Sequence, residues 1–307
     1  MVYEFVVRLH GKFFCSPDMA YAVQSINDYV LIGSGANENP NQLDTLFFTD
    51  FAQHSAVSST VGAEGGLFYA SAANGGVNTT TSAAVTSFGA TLASGAQRIT
   101  TGTTLNSTGY SSIHTSTGII PGFTASTNGN ITKYEFEAYV AVTLAHNFAN
   151  GGGFFRLGFM NSATNTTPDD GVYYEFLYDG TTNDTTWNIV FRHDGTQERI
   201  NTGVQITDGD TVEGKYRLYL CVECSSAGTY TTTYNVKYNS GVGSGVSAGT
   251  ASPSTPSFYP SSSNDYMGAV AINSKITDSV AVNKILAIDY LGLRIRRPLT
   301  REILLFS

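Results

Sequence analysis

The feature that most constrains the fold is an alternation of apolar and polar residues that recurs between residues 134 and 297. In the first such segment Tyr134, Phe136 and Ala138 alternate with Glu135 and Glu137. Successive side chains of a β-strand point to opposite faces, so this pattern is typical of a strand with one buried face. Comparable segments, separated by turn residues and not by helical patterns, lie at 155–159, 172–178, 187–192, 216–222 and 230–238. The last segment, 285–295, is apolar on both faces in its middle, as a central strand is. We therefore predict an all-β, two-sheet antiparallel sandwich.

Composition supports the fold class and excludes several functions. Charged residues make up 13% of the 307 residues, the net charge is −8 and the pI is about 5.0. Nucleic-acid backbones require clustered positive charge, so we expect no nucleic-acid partner. No run of about 18 apolar residues predicts a membrane span, and we expect no membrane partner. The first residues lack the basic-then-apolar pattern of a signal peptide, which favours a protein made in a cytoplasm without export.

The chain divides into two predicted parts. Residues 1–43 read as an N-terminal docking arm with α and β elements, including a short helix at 16–26 that begins at Ser16 and Pro17. Residues 44–307 read as the sandwich domain. Within that domain, short strands are expected at 66–70, 96–101 and 110–115, and a long loop at 239–264.

Residues capable of chemistry are few, and we predict no catalytic, cofactor-binding or metal-binding residue. Glu135 and Glu137 share a strand face, but no third acidic residue completes a glycosidase pattern. Cys221 and Cys224 have the spacing of half a zinc site without a second half, so we interpret them as free thiols. The alternative of a loop calcium site rests on four carboxylates: Asp169, Asp170, Asp179 and Asp184.

Two groups of side chains are candidates for binding. Arginines follow the last strand of an otherwise acidic chain and are candidates for a partner protein: Arg294, Arg296, Arg297 and Arg301. Aromatic residues that would stack on a glycan, if exposed, are Tyr139, Tyr173 and Tyr230. Trp187 alternates in phase with Ile189 and Phe191, which predicts a core position instead.

The order of several short segments resembles a known family. These segments are Asp50-Phe51, Tyr-Glu-Phe-Glu-Ala at 134–138, Arg-Leu-Gly-Phe at 156–159, Asp-Gly-Val-Tyr-Tyr-Glu-Phe at 170–176, Thr-Gly-Val at 202–204 and Ile-Asp-Tyr-Leu at 288–291. Together they resemble the concanavalin-like jelly-roll domain of tailed-phage structural proteins, over roughly residues 43–297. The long loop at 239–264 departs from that family, which has a tighter hairpin there.

The resemblance implies a non-enzymatic protein of the virion. We expect a capsid decoration or cement protein, or a head fibre, that packs on the major capsid protein, on other virion proteins or on copies of itself. Such domains are commonly presented as homotrimers. The alternative is a tail or neck appendage that binds a host glycan as a receptor-binding protein. The family pattern implies no cofactor.

Overall fold

A computed structural model describes residues 29–33, 42–49, 68–81, 96–116, 118–124, 131–143, 152–206, 214–225, 229–240, 243–261, 265–276 and 283–298. These residues form strands β1 to β17 and one short 3-10 turn at Pro256–Phe258. None of them belongs to a helix that is long and apolar enough to cross a membrane.

The first of the two sheets, sheet A, has β8 near its centre. Its strand order is β1-β2-β17-β8-β13-β14-β15, with β5 beside β17 and β4 beside β5. The bounds are β1 Tyr29–Gly33, β2 Gln42–Thr49, β4 Val77–Thr81, β5 Ala96–Thr100, β8 Thr132–Thr143, β13 Gly214–Cys224, β14 Tyr230–Ser240, β15 Gly243–Ala251 and β17 Ile285–Pro298.

The second sheet, sheet B, has the order β12-β11-β10-β9-β16-β6-β3, with β7 beside β16. Its strands are β3 Phe68–Ala73, β6 Tyr110–Thr115, β7 Ile120–Pro121, β9 Gly153–Met160, β10 Gly171–Tyr178, β11 Thr186–His193, β12 Thr196–Gln205 and β16 Tyr266–Lys275. Every neighbouring pair whose register is defined is antiparallel. The predicted all-β, two-sheet antiparallel sandwich is therefore confirmed.

Aromatic side chains fill the space between the sheets. Trp187 on β11 is fully buried, and its ring centroid lies 5.7 Å from that of Tyr216 on β13 and 6.4 Å from that of Phe155 on β9. Phe136 on β8 and Phe159 on β9 meet edge to face in the same cluster. Because these rings come from both sheets, their burial holds the sheets together. The prediction that Trp187 is a core residue is confirmed.

The 239–264 segment differs from the prediction of a long loop. Residues 243–251 form β15, which pairs with β14 along its length at the end of sheet A. Tyr259, after the 3-10 turn, is buried and stacks on Tyr230 with 4.6 Å between the ring centroids. The glycine- and serine-rich composition suggested a loop, whereas backbone pairing with β14 and the anchor at Tyr259 order this segment.

Part of the predicted N-terminal arm contributes to the sandwich. β1 pairs with β2 in antiparallel register from Tyr29↔Phe48 to Gly33↔Asp44, and β2 pairs in turn with β17. The helix predicted at 16–26 lies outside the described residues. The division of the chain near residue 43 stays a prediction.

Candidate functional site

The outer face of sheet A is built on alternation along β8. Phe136, Ala138 and Val140 point into the core, so Lys133, Glu135, Glu137 and Tyr139 point outward. β17 and β13 flank β8 on its two sides, both antiparallel. Residues that lie directly opposite each other on paired strands share a face of the sheet. The residues of β13 and β17 opposite Lys133, Glu135, Glu137 and Tyr139 therefore belong to the same outward surface. We call it the outer face of sheet A.

Cross-strand register places the arginines of β17 beside the glutamates of β8. Arg294 lies opposite Glu135, and Arg296 lies opposite Lys133. The Arg296 Nε donates a hydrogen bond to Glu135 Oε2 at 2.8 Å, and Arg294 Nε lies 3.9 Å from the same oxygen. Two of the arginines predicted to bind a partner are thus partly engaged with a carboxylate of their own chain.

A tyrosine occupies the other oxygen of this carboxylate. The Tyr219 hydroxyl on β13 donates to Glu135 Oε1 at 2.7 Å. Burial raises the pKa of Tyr219, and the negative charge of Glu135 raises it further, so the hydroxyl keeps its proton and remains a donor. Glu135 is therefore held by donors on both neighbouring strands.

Glu137 is held in the same way. Arg217 Nε on β13 and the Tyr290 hydroxyl on β17 both donate to its Oε1, the latter at 2.7 Å. The hydrogen bond to Glu137 raises the pKa of Arg217. Burial raises the pKa of Tyr290, with Glu137 adding to the effect. A catalytic carboxylate pair needs an acid that can exchange a proton with a substrate, whereas both glutamates here act as acceptors for fixed same-chain donors.

Three aromatic rings form a row on this face. The Phe48 and Tyr290 rings are stacked, with 5.8 Å between their centroids, and Tyr139 lies 6.2 Å from Tyr290 on the other side. Tyr139 is half-buried, so part of its ring is open to solvent. The structure thus places Tyr139 on the same face as Arg294 and Arg296, which the sequence had not connected.

Basic residues are concentrated on the outer face of sheet A, although the whole chain has a net charge of −8. The register places Lys215 and Lys237 on the same side as Arg217 and Tyr139, and Arg98 opposite Ala287 of the same face. The basic residues of this face are Arg98, Lys133, Lys215, Arg217, Lys237, Arg294 and Arg296. Among the side chains that the structure describes on this face, the acidic ones are Glu135, Glu137 and Glu223, with Asp289 close to Tyr139.

The outer face of sheet B is closed by the chain itself. The Arg156 Nε donates to Glu175 Oε1 at 2.6 Å, and both side chains are almost fully buried. The segment at 161–170 covers this pair, since Arg156 Nη1 donates to the carbonyl oxygen of Thr166. Arg199 binds Glu175 and also Asp184. Glu175 and Asp184 are therefore paired with arginines of their own chain.

The remaining predicted binding residues fall in different places. Tyr173 is fully buried on the covered face of sheet B, and its expected role as a glycan-facing ring is wrong. Burial raises its pKa strongly. Tyr230 is half-buried, with one face stacked on Tyr259. The side chain of Arg297 and the whole of Arg301 lie outside the described residues.

The two cysteines of β13 point to opposite faces of sheet A. Cys221 lies opposite Glu135 on the outer face, whereas Cys224 belongs to the core cluster. Both are buried, and burial raises the pKa of each thiol to about 12. An odd spacing along a strand places side chains on different faces, so this pair cannot ligate one metal ion. Their interpretation as free thiols is confirmed.

The loop carboxylates proposed for calcium are separated by a strand. Asp170 precedes β10, whereas Asp179 follows it, so they lie at opposite ends of an eight-residue strand. Asp179 instead accepts hydrogen bonds from the backbone N–H groups of Thr181 and Thr182 in its own turn. The calcium alternative in its predicted form is therefore wrong. Asp170 comes together with His193 and Asp265, the one described group whose oxygen and nitrogen atoms could hold a metal ion.

Sequence reasoning missed Phe48, Arg217, Tyr219 and Tyr290 as members of one site. Alternation along β13 gave the outward phase of Arg217 and Tyr219, whereas a β-bulge between Ile288 and Tyr290 changes the phase within β17. The missing information was strand order, because Arg296 and Glu135 are 161 residues apart in the chain. No local spacing signals a contact at that separation.

Comparison with known proteins finds similar chains among solved structures. No protein-family model and no curated protein sequence matches the chain. Among solved structures, peanut lectin is 11% identical over 82% of this chain and 97% of the lectin, with a TM-score of 0.45. An endo-1,3-beta-glucanase from Streptomyces sioyaensis is 11% identical over 85% of this chain and 99% of the enzyme, with a TM-score of 0.41.

A phage protein is also among the similar structures. The CBM2 module of the evolved Dit of Lactobacillus casei BL23 phage J-1 is 15% identical over 60% of this chain and 68% of the module, with a TM-score of 0.34.

Proposed function

We propose that this chain is a non-enzymatic structural protein of a phage virion, a capsid decoration or cement protein or a head fibre. In this proposal the outer face of sheet A docks on an acidic surface of the major capsid protein, of another virion protein or of a neighbouring copy. The observation that supports it is the clustering of basic and aromatic side chains on one face of sheet A in an acidic chain. Arginine and tyrosine are enriched where proteins bind proteins.

The geometry favours binding over hydrolysis. The two glutamates of the face, Glu135 and Glu137, accept hydrogen bonds from arginine and tyrosine side chains on both neighbouring strands. Such cross-strand pairs fix side chains in one arrangement, which lowers the entropic cost of binding a partner. The same pairing removes the free acid that glycoside hydrolysis requires.

Homotrimeric assembly is the second part of the proposal. It rests on the resemblance of the strand order to phage domains that are presented symmetrically. A closed ring of three copies would use the same surfaces on each copy. Light scattering coupled to size-exclusion chromatography should give three times the chain mass, and a monomer at all concentrations would contradict this part.

The location on the particle is tested by copy number. Quantitative mass spectrometry of purified particles should find this chain in a ratio that follows the number of capsid subunits. A small copy number that matches the symmetry of the neck or tail would instead indicate that the protein belongs to a neck or tail appendage. Absence from purified particles would overturn the virion proposal.

Charge reversal tests the docking face. Lys237 is exposed at the outer face of sheet A, and Lys237→Glu should weaken rebinding to particles from which the protein has been stripped. The matched control is Gln197→Glu with Gln205→Glu, which changes the net charge equally at exposed positions of β12 in sheet B. Equal rebinding of both variants would contradict docking through sheet A. Raised salt concentration should also weaken the rebinding of the wild-type protein to stripped particles, because salt screens the attraction between charges.

A second function, host-glycan binding by a tail or neck appendage, is favoured by one observation. The row of Phe48, Tyr290 and Tyr139 provides ring surface beside charged hydrogen-bonding groups on a flat sheet. A glycan array with the purified protein should then show specific binding that Tyr139→Ala removes. Tyr266→Ala is the control, since that tyrosine is exposed on β16 of sheet B. An array with no specific signal would contradict the glycan-binding function, and protein docking would remain as the proposed function.

A further inference from the structure

One rim of sheet B gathers a chelating set of side chains from three separate parts of the chain. Asp170 stands just before β10, His193 ends β11, and Asp265 stands just before β16. The His193 Nδ1 lies 3.0 Å from Asp170 Oδ1 and 3.6 Å from Asp265 Oδ2. One donor atom from each residue lies within 4.8 Å of the others. The three residues therefore converge on one point although up to 95 positions separate them along the chain.

The donors are held in place by the neighbouring backbone. The Asn161 side chain donates to Asp170 Oδ2 at 3.0 Å and accepts the backbone N–H groups of Asp169 and Asp170. His193 opens the tight β11–β12 hairpin, in which Asp194 and Gly195 have positive φ angles of 48° and 75°. Such two-residue turns fix the register of the strands, and with it the position of the imidazole.

Carboxylate groups are concentrated at this rim. Asp170 and Asp265 are both about 8% exposed, and both approach the same nitrogen of His193. A third carboxylate, that of the exposed Asp194, lies 3.7 Å from the other ring nitrogen, Nε2. Asp170 also accepts hydrogen bonds from the Asn161 side chain and from the backbone N–H of Asp194. A divalent ion among these groups would offset the repulsion between neighbouring carboxylates.

The geometry fits a metal ion in two respects. Donor atoms that share an ion at about 2.0–2.2 Å lie roughly 3.0–3.5 Å from one another, close to the distances between His193 Nδ1 and the two carboxylate oxygens. Metal-binding histidines also commonly have a carboxylate near their second ring nitrogen, and the Asp194 carboxylate lies 3.7 Å from Nε2, within ion-pair distance but beyond a hydrogen bond.

We propose that Asp170, His193 and Asp265 bind a divalent ion of the zinc class, with Asp194 as the carboxylate behind the imidazole. The nitrogen ligand favours Zn²⁺ or Mn²⁺ over Ca²⁺, which prefers six to eight oxygen ligands. The ion would tie the β9–β10 connection, the β11–β12 hairpin and the start of β16 together, so its role is structural. This inference is independent of the docking function of sheet A.

Calorimetric titration of the untagged, chelator-treated protein with Zn²⁺ tests the proposal. We expect one ion per chain, a rise in Tm on binding, and no comparable response to Ca²⁺. Asp265→Asn and His193→Gln should each abolish stoichiometric binding, and Asp194→Asn should weaken it by about tenfold to a hundredfold. His114→Gln is the control, because that histidine lies on β6 away from the rim.

A spectroscopic readout keeps the test independent of folding stability. Co²⁺ bound by one imidazole and two carboxylates should give a visible absorption band in the wild type that Asp265→Asn lacks, while circular dichroism shows both proteins folded. Absence of stoichiometric Zn²⁺ binding in the wild type would overturn the proposal. So would nuclear magnetic resonance spectra in which the imidazole signals of His193 do not change on addition of excess Zn²⁺.

Discussion

The hydroxyl of Tyr174 on β10 donates a hydrogen bond to the backbone carbonyl oxygen of Tyr219 on β13, at 2.6 Å. This bond joins sheet B to sheet A across the core, and the side chain of the same Tyr219 donates to Glu135 on the outer face. Tyr174 is fully buried, and this burial raises its pKa well above the ordinary value. Tyr219 on β13 therefore contacts both the core, through its backbone, and the candidate site, through its side chain.

Removal of this inter-sheet hydrogen bond should destabilise the protein. Tyr174→Phe keeps the ring and removes only the donor, which should lower the free energy of unfolding by about 1–3 kcal/mol. Urea denaturation measures the change. Tyr266→Phe removes a hydroxyl from an exposed ring and should change stability by much less. Equal effects of the two substitutions would show that the bond across the core contributes nothing specific.

Gly158 on β9 is required by the close approach of β10. Its φ is 150°, and an added Cβ would lie 2.6 Å from the Cα of Tyr173 on the paired strand. Gly158→Ala should therefore lower the free energy of unfolding by about 2 kcal/mol or more, through backbone strain and overpacking together.

Gly203 supplies the matched control for that substitution. It also has a positive φ, 74°, but an added Cβ would meet no atom within 4 Å. Gly203→Ala should then show only the strain of the left-handed backbone, about 1 kcal/mol. A larger loss for Gly203→Ala than for Gly158→Ala would contradict the steric argument.

Alkaline pH should destabilise the fold through buried groups that stay protonated. Burial raises the pKa of Cys221, Cys224, Tyr216 and Tyr259 to about 12 each, from ordinary values of 9.0 for Cys and 10.0 for Tyr. Between the ordinary and the raised pKa the unfolded chain binds fewer protons than the folded one, so stability falls as pH rises. The loss should begin near pH 9 with the thiols, at no more than about 1.4 kcal/mol per pH unit for each group.

Denaturant midpoints between about pH 8 and pH 11 measure this slope. Cys224→Ala should make the profile flatter between about pH 9 and 10, where the tyrosines of the unfolded chain still hold their protons. A profile that stays flat across the whole range would contradict the burial of these groups.

Trp187 should report the state of the core, because it is the one tryptophan in the chain and is fully buried. Native protein should show blue-shifted emission and slow quenching by acrylamide, and unfolding should shift the emission to the red. Glycan or partner binding at the outer face of sheet A should leave the native emission unchanged. A solvent-exposed emission maximum in the native state would contradict the packing of Trp187 against Phe155 and Tyr216.

Much of the architecture could be read from the sequence because a β-strand has a strict period of two. Alternation along 134–144 placed Phe136 in the core and Glu135 outside, and the same reasoning placed Trp187 inside. Asp194-Gly195 is a dipeptide typical of two-residue hairpin turns, and β11 and β12 pair on either side of it. Composition misled at 243–251, where small residues form a paired strand because β14 supplies backbone partners.

The sequence by itself determined the class of fold, the inward or outward phase of each strong strand and the net acidity of the chain. The tertiary structure decided which strands are neighbours, and therefore which outward residues meet. Glu135 and Arg296 form an ion pair only because β17 returns to lie beside β8, and Asp170 meets Asp265 only because β16 lies beside β9. The physical reason is that side-chain phase is a local property of the backbone, whereas strand order depends on the burial of the whole core.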